Sequence, residues 1–447
     1  MGARTVNSRT GSPAAKRNST RKRICGAILD TVCHSDQCHR HSAVANVNLH
    51  HSQQDHARKE ELIGKVKRLW LILILLLFLT TGCWDRRELN DQALIFAWGM
   101  DLNEDGSYHA TAQFANPHSL GSSEESTGKA SFSVSGDGNS VYEAAKDLQA
   151  KVSRAWFAGH RRVILIGEKL AKDGLANILD EYSRNPIVRL RTDILIVKGS
   201  SVEDILEVSY PLEQLPANAF FRIHEAADMN PDLTLLHFIM ANASDENCPI
   251  LPVVTVHANP DVGLQLWGTA IFNKDTKLVD YLPLKKGNLA QWIKGQLGST
   301  IGTVKIPSEE GDIVVEINHL SANIQTLIVE KNIQVHVTLG GKGILRESNT
   351  HLDLSHSRNV VMVQEYLNEQ TATEVKRVVK EIQKLGTDIL GVGQSIHRQH
   401  PYQWKGLKEE WSQHFQQAKI EIEVKIDLEE TGMTGPSLIQ KKSEVNS

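Results

Sequence analysis

Residues 313–339 read IVVEINHLSANIQTLIVEKNIQVHVTL. Apolar residues take alternate places in three stretches, Ile313 to Ile317, Ile324 to Val329 and Ile333 to Leu339. Successive side chains of a strand point to opposite faces, so a period of two predicts strands with one buried face and one wet face. The breaks between the stretches are short and polar, which predicts antiparallel neighbours. An antiparallel sheet is therefore the expected centre of the C-terminal half.

Downstream, the period changes. Val375, Val378, Val379, Ile382, Leu385 and Ile389 recur at three- and four-residue steps within 360–390, while Lys376, Lys380 and Glu381 take the other side. That pattern predicts one long helix from Val360 to Leu390 whose stripe packs on the sheet rather than on a membrane. Leu407 to Phe415 reads as a shorter helix, with Trp411 and Phe415 four apart. IEIEVKIDL at 420–428 alternates strictly and predicts a closing strand.

Upstream, Leu266 to Phe272 and Leu278 to Leu282 read as strands joined by the turn Asn273-Lys274-Asp275, with a short helix over Leu289 to Gly295. Residues 211–262 are broken by Pro211, Pro216, Pro231, Pro252 and Pro260, which predicts a linker or domain edge near 258–263. In the first half, Ala93 to Met100 and Tyr108 to Phe114 form a hairpin pattern across DLNEDGS at 101–107. The Ser-, Gly- and Glu-rich residues 116–140 predict a loop. Ser140 can cap a helix reaching Val152. Strands at Val163 to Ile166 and Thr192 to Val197 alternate with helices at Leu170 to Tyr182 and Val202 to Val208, a layered arrangement. The expected fold class is α+β and multi-domain, with mixed and antiparallel sheets packed with helices and a disordered N-terminal extension. No internal repeat of solenoid period is present.

The N-terminal region follows a different logic. Lys65, Lys67 and Arg68 precede an unbroken apolar run of 11 residues, Leu69 to Leu79, and then Thr80-Thr81-Gly82-Cys83. A membrane-spanning helix needs about 20 apolar residues, so this run is too short for one and fits the core of a secretory signal peptide. Small residues before a cysteine suit a lipoprotein cleavage site, with Thr80, Thr81 and Gly82 as the lipobox and Cys83 as the residue whose sulfur takes a diacylglyceryl group. Its freed amino group then accepts a further chain such as palmitate. Two or three chains hold a protein stably, whereas one binds marginally. The lipobox departs from the usual pattern, with Thr80 three places before the cysteine and Leu79 one place earlier. The expected division is 1–60 as a disordered extension or sequence upstream of the true start, 61–82 as signal peptide, 83–262 and 263–435 as two folded domains, and 436–447 as a flexible tail. Translation from Leu62 or Val66 would keep every peptide of 1–60 out of a proteomic digest.

Charge divides the chain in the same place. Of 49 Lys+Arg and 53 Asp+Glu, residues 1–82 hold 13 and 5, leaving 36 and 48, a net charge near −12, on residues 83–447. An acidic body excludes nucleic acid as a partner, since phosphate binding needs concentrated Lys and Arg. Cys248 is the one cysteine after Cys83. With Cys83 lipidated no intramolecular disulfide forms, so the core alone must hold the fold.

Little in the body points to catalysis. His-Glu-x-x-His, Gly-x-Ser-x-Gly and Walker A patterns are absent from the sequence. Gly391-Val392-Gly393 reads as the cap and turn ending the long helix, not as a phosphate loop. Cys33, His34, Cys38, His39 and His41 lack the spacing of a zinc knuckle and read as a solvated tract. His160-Arg161-Arg162 is a candidate anion site that reads as a solvated turn. Cys248 reads as a buried apolar thiol. Trp84 suits a lipid headgroup layer, where indole is favoured. No catalytic residue, no metal ligand and no cofactor is expected.

Several of these segments resemble one family, the Ger(x)C lipoproteins, the C subunits of spore germinant receptors. The likeness opens at GCWDRRELND, 82–91, and continues at SRAWFAGH, 153–160, and VILIGE, 163–168. Arg189, Arg191 and the strand to Val197 follow, then GTAIF at 268–272, Glu409-Glu410-Trp411 to Phe415, the strand 420–428 and Thr431-Gly432. It covers about residues 82–435. The resemblance implies an α+β lipoprotein on the outer face of the spore inner membrane, without catalytic activity. It also implies A and B membrane subunits as partners, in a receptor that senses nutrients. Cys83 alone carries over as a functional residue. From the residues themselves, a solute-binding lipoprotein of a transporter is the alternative, which needs two similar lobes around a hinge and a pocket. A lipid-anchored cell-wall hydrolase would need paired carboxylates or a metal triad, which the sequence does not offer.

Overall fold

The alternation at 313–339 is one long hairpin arm and the start of its partner. A computed structural model describes residues 61–74, 91–116, 119, 129–208, 210, 212–226, 234–259, 262–329 and 332–430. Residues 61–74 are helical. Among the described residues no helix is long and apolar enough to cross a membrane. The second unit, residues 87–447, carries two sheets.

Among the described residues the large sheet has nine strands: Gln92–Leu102 (β1), Tyr108–Ala115 (β2), Ser131–Gly138 (β3), Ala155–Phe157 (β4), Val163–Gly167 (β5), Asp193–Val197 (β6), Ile250–Val256 (β7), Leu264–Phe272 (β8) and Leu278–Pro283 (β9). Their order is β3-β2-β1-β5-β6-β7-β8-β9, with β4 paired to β1. The centre, β1-β5-β6-β7, is parallel, and both flanks are antiparallel. VILIG and DILIV are buried along their whole length. Parallel strands covered on both faces need such continuous apolar runs. One face carries the helices Val141–Ala150 (α1), Glu168–Asp173 (α2), Ala176–Arg184 (α3) and, later, Leu235–Ala243 (α6). Residues of all four share a core with β1, β2, β5 and β6. The opposite face carries Val202–Glu207 (α4) and Pro216–Ala226 (α5).

The smaller sheet, β10-β11-β12-β13, comprises Thr300–Val304 (β10), Ile313–Val329 (β11), Asn332–Ser348 (β12) and Lys419–Glu430 (β13). The two stretches expected as separate strands are the single strand β11, kinked where Asn318 and Ser321 bracket a register shift and His319 takes φ 50°. β13 runs parallel to β12, so the sheet is mixed rather than wholly antiparallel. Its crossover is helical: Ser357–Leu385 (α8), Val392–Gln399 (α9), Pro401–Leu407 (α10) and Trp411–Gln417 (α11). The predicted stripe buries Val375, Val378, Val379 and Ile382 in the core that also holds Val424 and Ile426 of β13. Each such side chain contributes about 1.5–3 kcal/mol of transfer free energy. The helix stops at Leu385 because Gly386 adopts the left-handed conformation, φ 69°, that commonly terminates helices.

Leu284–Ile293 (α7) bridges the two sheets. Trp292 is fully buried and donates Nε1–H to the Ser321 carbonyl at 3.1 Å. The large sheet runs through the division expected at 262/263: β7 precedes it, β8 and β9 follow it. β3 lies inside the expected loop 116–140. Serine and glycine are poor strand formers, and this strand forms because its glycines admit α1. An added Cβ on Gly136 would lie 2.3 Å from the Leu148 nitrogen.

Candidate functional site

A cleft of about 730 Å³ opens between α1 and α3 on the large sheet. Local sequence positions both helices. Ser140 Oγ caps α1 by accepting the Glu143 N–H at 3.2 Å, and the Glu143 carboxylate accepts the Asn139 N–H at 3.0 Å. Gly174, φ 127°, breaks the expected single helix 170–182 into α2 and α3 and lets α3 carry Tyr182 toward β1. The floor is aromatic: Trp98 meets Trp156 edge to face at 5.6 Å, and Tyr108 accepts a 2.8 Å hydrogen bond from Asn177.

At the inner end lies Arg161, 8% exposed, its guanidinium 5.9 Å over the Tyr182 ring. Among the described residues no hydrogen-bond partner reaches its Nε or Nη2, the Tyr182 hydroxyl or the Trp98 Nε1. The indole N–H and the phenol face each other without attaining hydrogen-bond geometry. Burial pushes the guanidinium below its ordinary value and the Tyr182 phenol well above its own. At neutral pH the phenol stays protonated and the guanidinium stays charged. The sequence predicted a solvated turn here. His160 is exposed as that reading requires, stacked on Phe96, but Arg161 folds inward. A second, smaller cavity is shared by Arg161 with Arg162, Arg189 and Arg191, at the starts of β5 and β6.

A different polar centre joins residues 241–248 to the C-terminal helices. Asp388 is 1% exposed. Its Oδ1 accepts the N–H groups of Leu390 (3.0 Å), Gly391 (3.0 Å) and Val392 (3.3 Å). Oδ2 accepts those of Gly393 (2.6 Å) and the Trp411 indole (3.1 Å). The expectation for Gly391-Val392-Gly393 is thereby corrected: Gly391 is the N-cap of α9. The helix end does receive an anion, and the anion is the chain's own carboxylate. Burial pushes the Asp388 carboxyl up, and the N–H groups of Gly393, Val392 and Leu390 with the Trp411 indole pull it back down. Lys294, pushed down by burial, feels the opposing field of Asp388. Cys248 donates its backbone N–H to the Asp388 carbonyl at 2.8 Å, and its buried thiol is pushed up to about 11. That matches the inert apolar thiol expected. Lys274 binds the carbonyls of Ala241, Ser244 and Asn247, and Glu246 contacts His397.

Thr80, Thr81, Gly82 and Cys83 lie outside the described residues, as do Trp84 and the Cys33–His41 tract. Among the described residues no group of three His, Cys, Asp or Glu side chains is placed to hold a metal ion.

Comparison with known proteins gives a consistent result along the body. Residues 85–256 match the spore germination protein N-terminal domain, and residues 267–432 match the spore germination B3/GerAC-like C-terminal domain. Spore germination protein KC of Bacillus subtilis (strain 168) is 24% identical over 394 residues, spanning 82% of this chain and 96% of that protein. The putative spore germination protein YfkR of the same organism is 27% identical over 370 residues, spanning 80% and 95%. The crystal structure of the GerBC protein is similar in fold, with a TM-score of 0.52 and 19% identity over 74% of this chain and 96% of that one. Domains matched in order from residue 85 to 432, with relatives aligned over nearly their whole length, leave one assignment: the chain belongs to the Ger(x)C family of spore germinant-receptor C subunits.

Proposed function

We propose that this protein is the lipid-anchored C subunit of a nutrient germinant receptor. It is needed for spore germination, has no enzymatic activity of its own, and docks on membrane A and B subunits. The observation that carries the reading is the end-to-end match to both family domains, residues 85–256 and 267–432, beginning two residues after Cys83. On this reading residues 61–82 are removed as a signal peptide directed by Thr80, Thr81 and Gly82, and Cys83 carries the lipid. Residues 83–262 and 263–435 are the two regions of the mature body, joined by the large sheet that crosses between them, with 436–447 as a tail. The mature chain sits on the outer face of the spore inner membrane. The transporter alternative needs a pocket between two similar lobes around a hinge. The large cleft is lined by residues from Ile95 to Val188 only, all on one sheet, its helices and the loops between them.

The test is germination of spores lacking the gene, scored across amino acids and sugars. Loss of response to one nutrient class, restored by wild type and not by Cys83→Ala, is the expected result. Full restoration by Cys83→Ala with the protein still in the membrane fraction would overturn the anchor. Normal germination on every nutrient, together with loss of uptake of one solute, would overturn the receptor reading in favour of transport.

A further inference from the structure

Among the described residues, three side chains lining the cleft between α1 and α3 hold unanswered donors: Arg161 with Nε–H and Nη2–H, and the Tyr182 hydroxyl with the Trp98 Nε1–H that faces it outside hydrogen-bond geometry. Each belongs to a residue at least nine-tenths buried: Arg161 is 8%, Trp98 6% and Tyr182 3% exposed. Buried polar groups are nearly always paired, and a buried guanidinium without a carboxylate is the costliest exception. Three such residues around a single cleft mark a place built for something that supplies acceptors. The rest of the lining describes its shape. Ile95, Trp98, Tyr108 and Trp156 give an apolar, largely aromatic wall, and the volume of about 730 Å³ falls in the range of small-molecule sites. The rim is polar, with Asp180 already paired to Arg184 and Glu181 to Asn185, so neither rim carboxylate reaches Arg161 as an ion pair.

We propose that this cleft binds a small molecule bearing a carboxylate on an apolar, ring-sized body, with Arg161 and the Tyr182 hydroxyl holding the carboxylate. A planar two-oxygen anion matches the guanidinium fork, and the body lies against Trp98 and Trp156. The assignment does not depend on the lipid anchor or on partner subunits. The ligand buries its carboxylate beside Arg161, whose charge Glu181 offsets only at a distance and no ion pair answers. The ligand-free protein therefore holds a destabilising charge that the complex neutralises. This makes Arg161 a binding residue and not a prop of the fold, and the two roles predict opposite effects of its removal.

The experiment uses the full chain in non-ionic detergent, titrated with phenylacetate, acetate and the neutral phenylacetamide. Binding is followed by calorimetry and by the fluorescence of the cleft tryptophans. Phenylacetate is expected to bind saturably. Acetate, lacking the body, and phenylacetamide, lacking the charge, are each expected to bind at least about tenfold more weakly. Arg161→Met is expected to abolish phenylacetate binding while leaving the melting temperature unchanged or raised. Tyr182→Phe is expected to keep the fold and weaken binding. Absence of saturable phenylacetate binding at millimolar concentration would overturn the proposal. So would a lower melting temperature in Arg161→Met together with unchanged affinity in Tyr182→Phe, because Arg161 would then be structural. Stabilisation by inorganic phosphate instead, lost in Arg189→Gln, would also overturn it and move the anion to the second cavity.

Discussion

The indole of Trp411 donates to Oδ2 of Asp388 at 3.1 Å, and the same oxygen accepts the Gly393 N–H at the start of α9. One buried carboxylate therefore ties α9 to α11 through two donors 18 residues apart in sequence. Asp388→Ala leaves four backbone N–H groups and the indole unpaired in a dry site. We expect a loss of about 3–5 kcal/mol in urea unfolding. Trp411→Phe keeps a ring and removes one donor, and should cost about 1–3 kcal/mol. Equal effects of the two variants would show that packing, not the carboxylate, holds this junction.

Gly136 is the contact point of β3 with α1. A side chain there meets helix backbone, at 2.3 Å from the Leu148 nitrogen and 2.7 Å from the Ala144 oxygen, and backbone cannot step aside as a flexible side chain can. Gly136→Val should destabilise by about 1–3 kcal/mol and, by displacing α1, change the fluorescence of Trp98 and Trp156. An unchanged urea midpoint would contradict the close approach.

Cys248 links folding to alkaline pH. Its thiol rises from an ordinary 9.0 to about 11 because burial disfavours the thiolate. A raised pKa means that the contribution is fully present below pH 9.0 and is lost as pH rises through about 11. Wild type should therefore lose stability relative to Cys248→Ala between those values, by up to roughly 3 kcal/mol. Lys274 and Lys294, both pushed down by burial, titrate with the opposite sign, so the comparison is between the two proteins and not along one curve. At pH 8 the native thiol should resist Ellman's reagent and react at once in urea.

Lys198, at the end of β6, places its ammonium 3.4 Å from the Trp267 ring centroid and 4.3 Å from that of Tyr281. Lys198→Met removes the charge and keeps the stem. It should cost about 0.5–2 kcal/mol, with Lys198→Arg retaining most of the stability. A neutral Lys198→Met would leave the β6 end held to β8 and β9 by apolar contact alone.

The strands and helices that carry a strong period were legible in the sequence, and those set by approach or by caps were not. VILIG, the 420–428 alternation and the stripe that begins at Val375 declare their faces by composition alone. β3 was hidden because Ser and Gly carry no strand signal, and its reason to exist is the helix lying on it. The true end of α8 depended on Gly386, four residues before the apolar stripe runs out at Leu390. The start of α9 depended on a carboxylate four places upstream that accepts its first N–H groups, a relation that spacing does not reveal. The α1–α3 cleft was unreadable for a related reason. Arg161 and Arg162 are adjacent and alike in sequence, yet the strand geometry sends the first inward and the second to solvent. The one available signal was a pair of arginines preceding an unbroken apolar strand, which does not say which of the two turns inward.

The continuity of the large sheet bears on how genes of this family can recombine. Val256 ends β7 and Leu264 begins β8, and seven residue pairs join the two strands. A crossover between the coding regions of two relatives at that point would give β7 a foreign neighbour along its whole ladder, although no domain model is cut. A crossover after Pro283 would transfer the complete sheet and leave the hydrogen-bonded register native on one parent's side. α7, and the junction of residues 241–248 with the C-terminal helices, would then pack against surfaces of mixed ancestry. Viable mosaics are accordingly expected to have their seams past residue 283, inside what sequence comparison counts as the second domain.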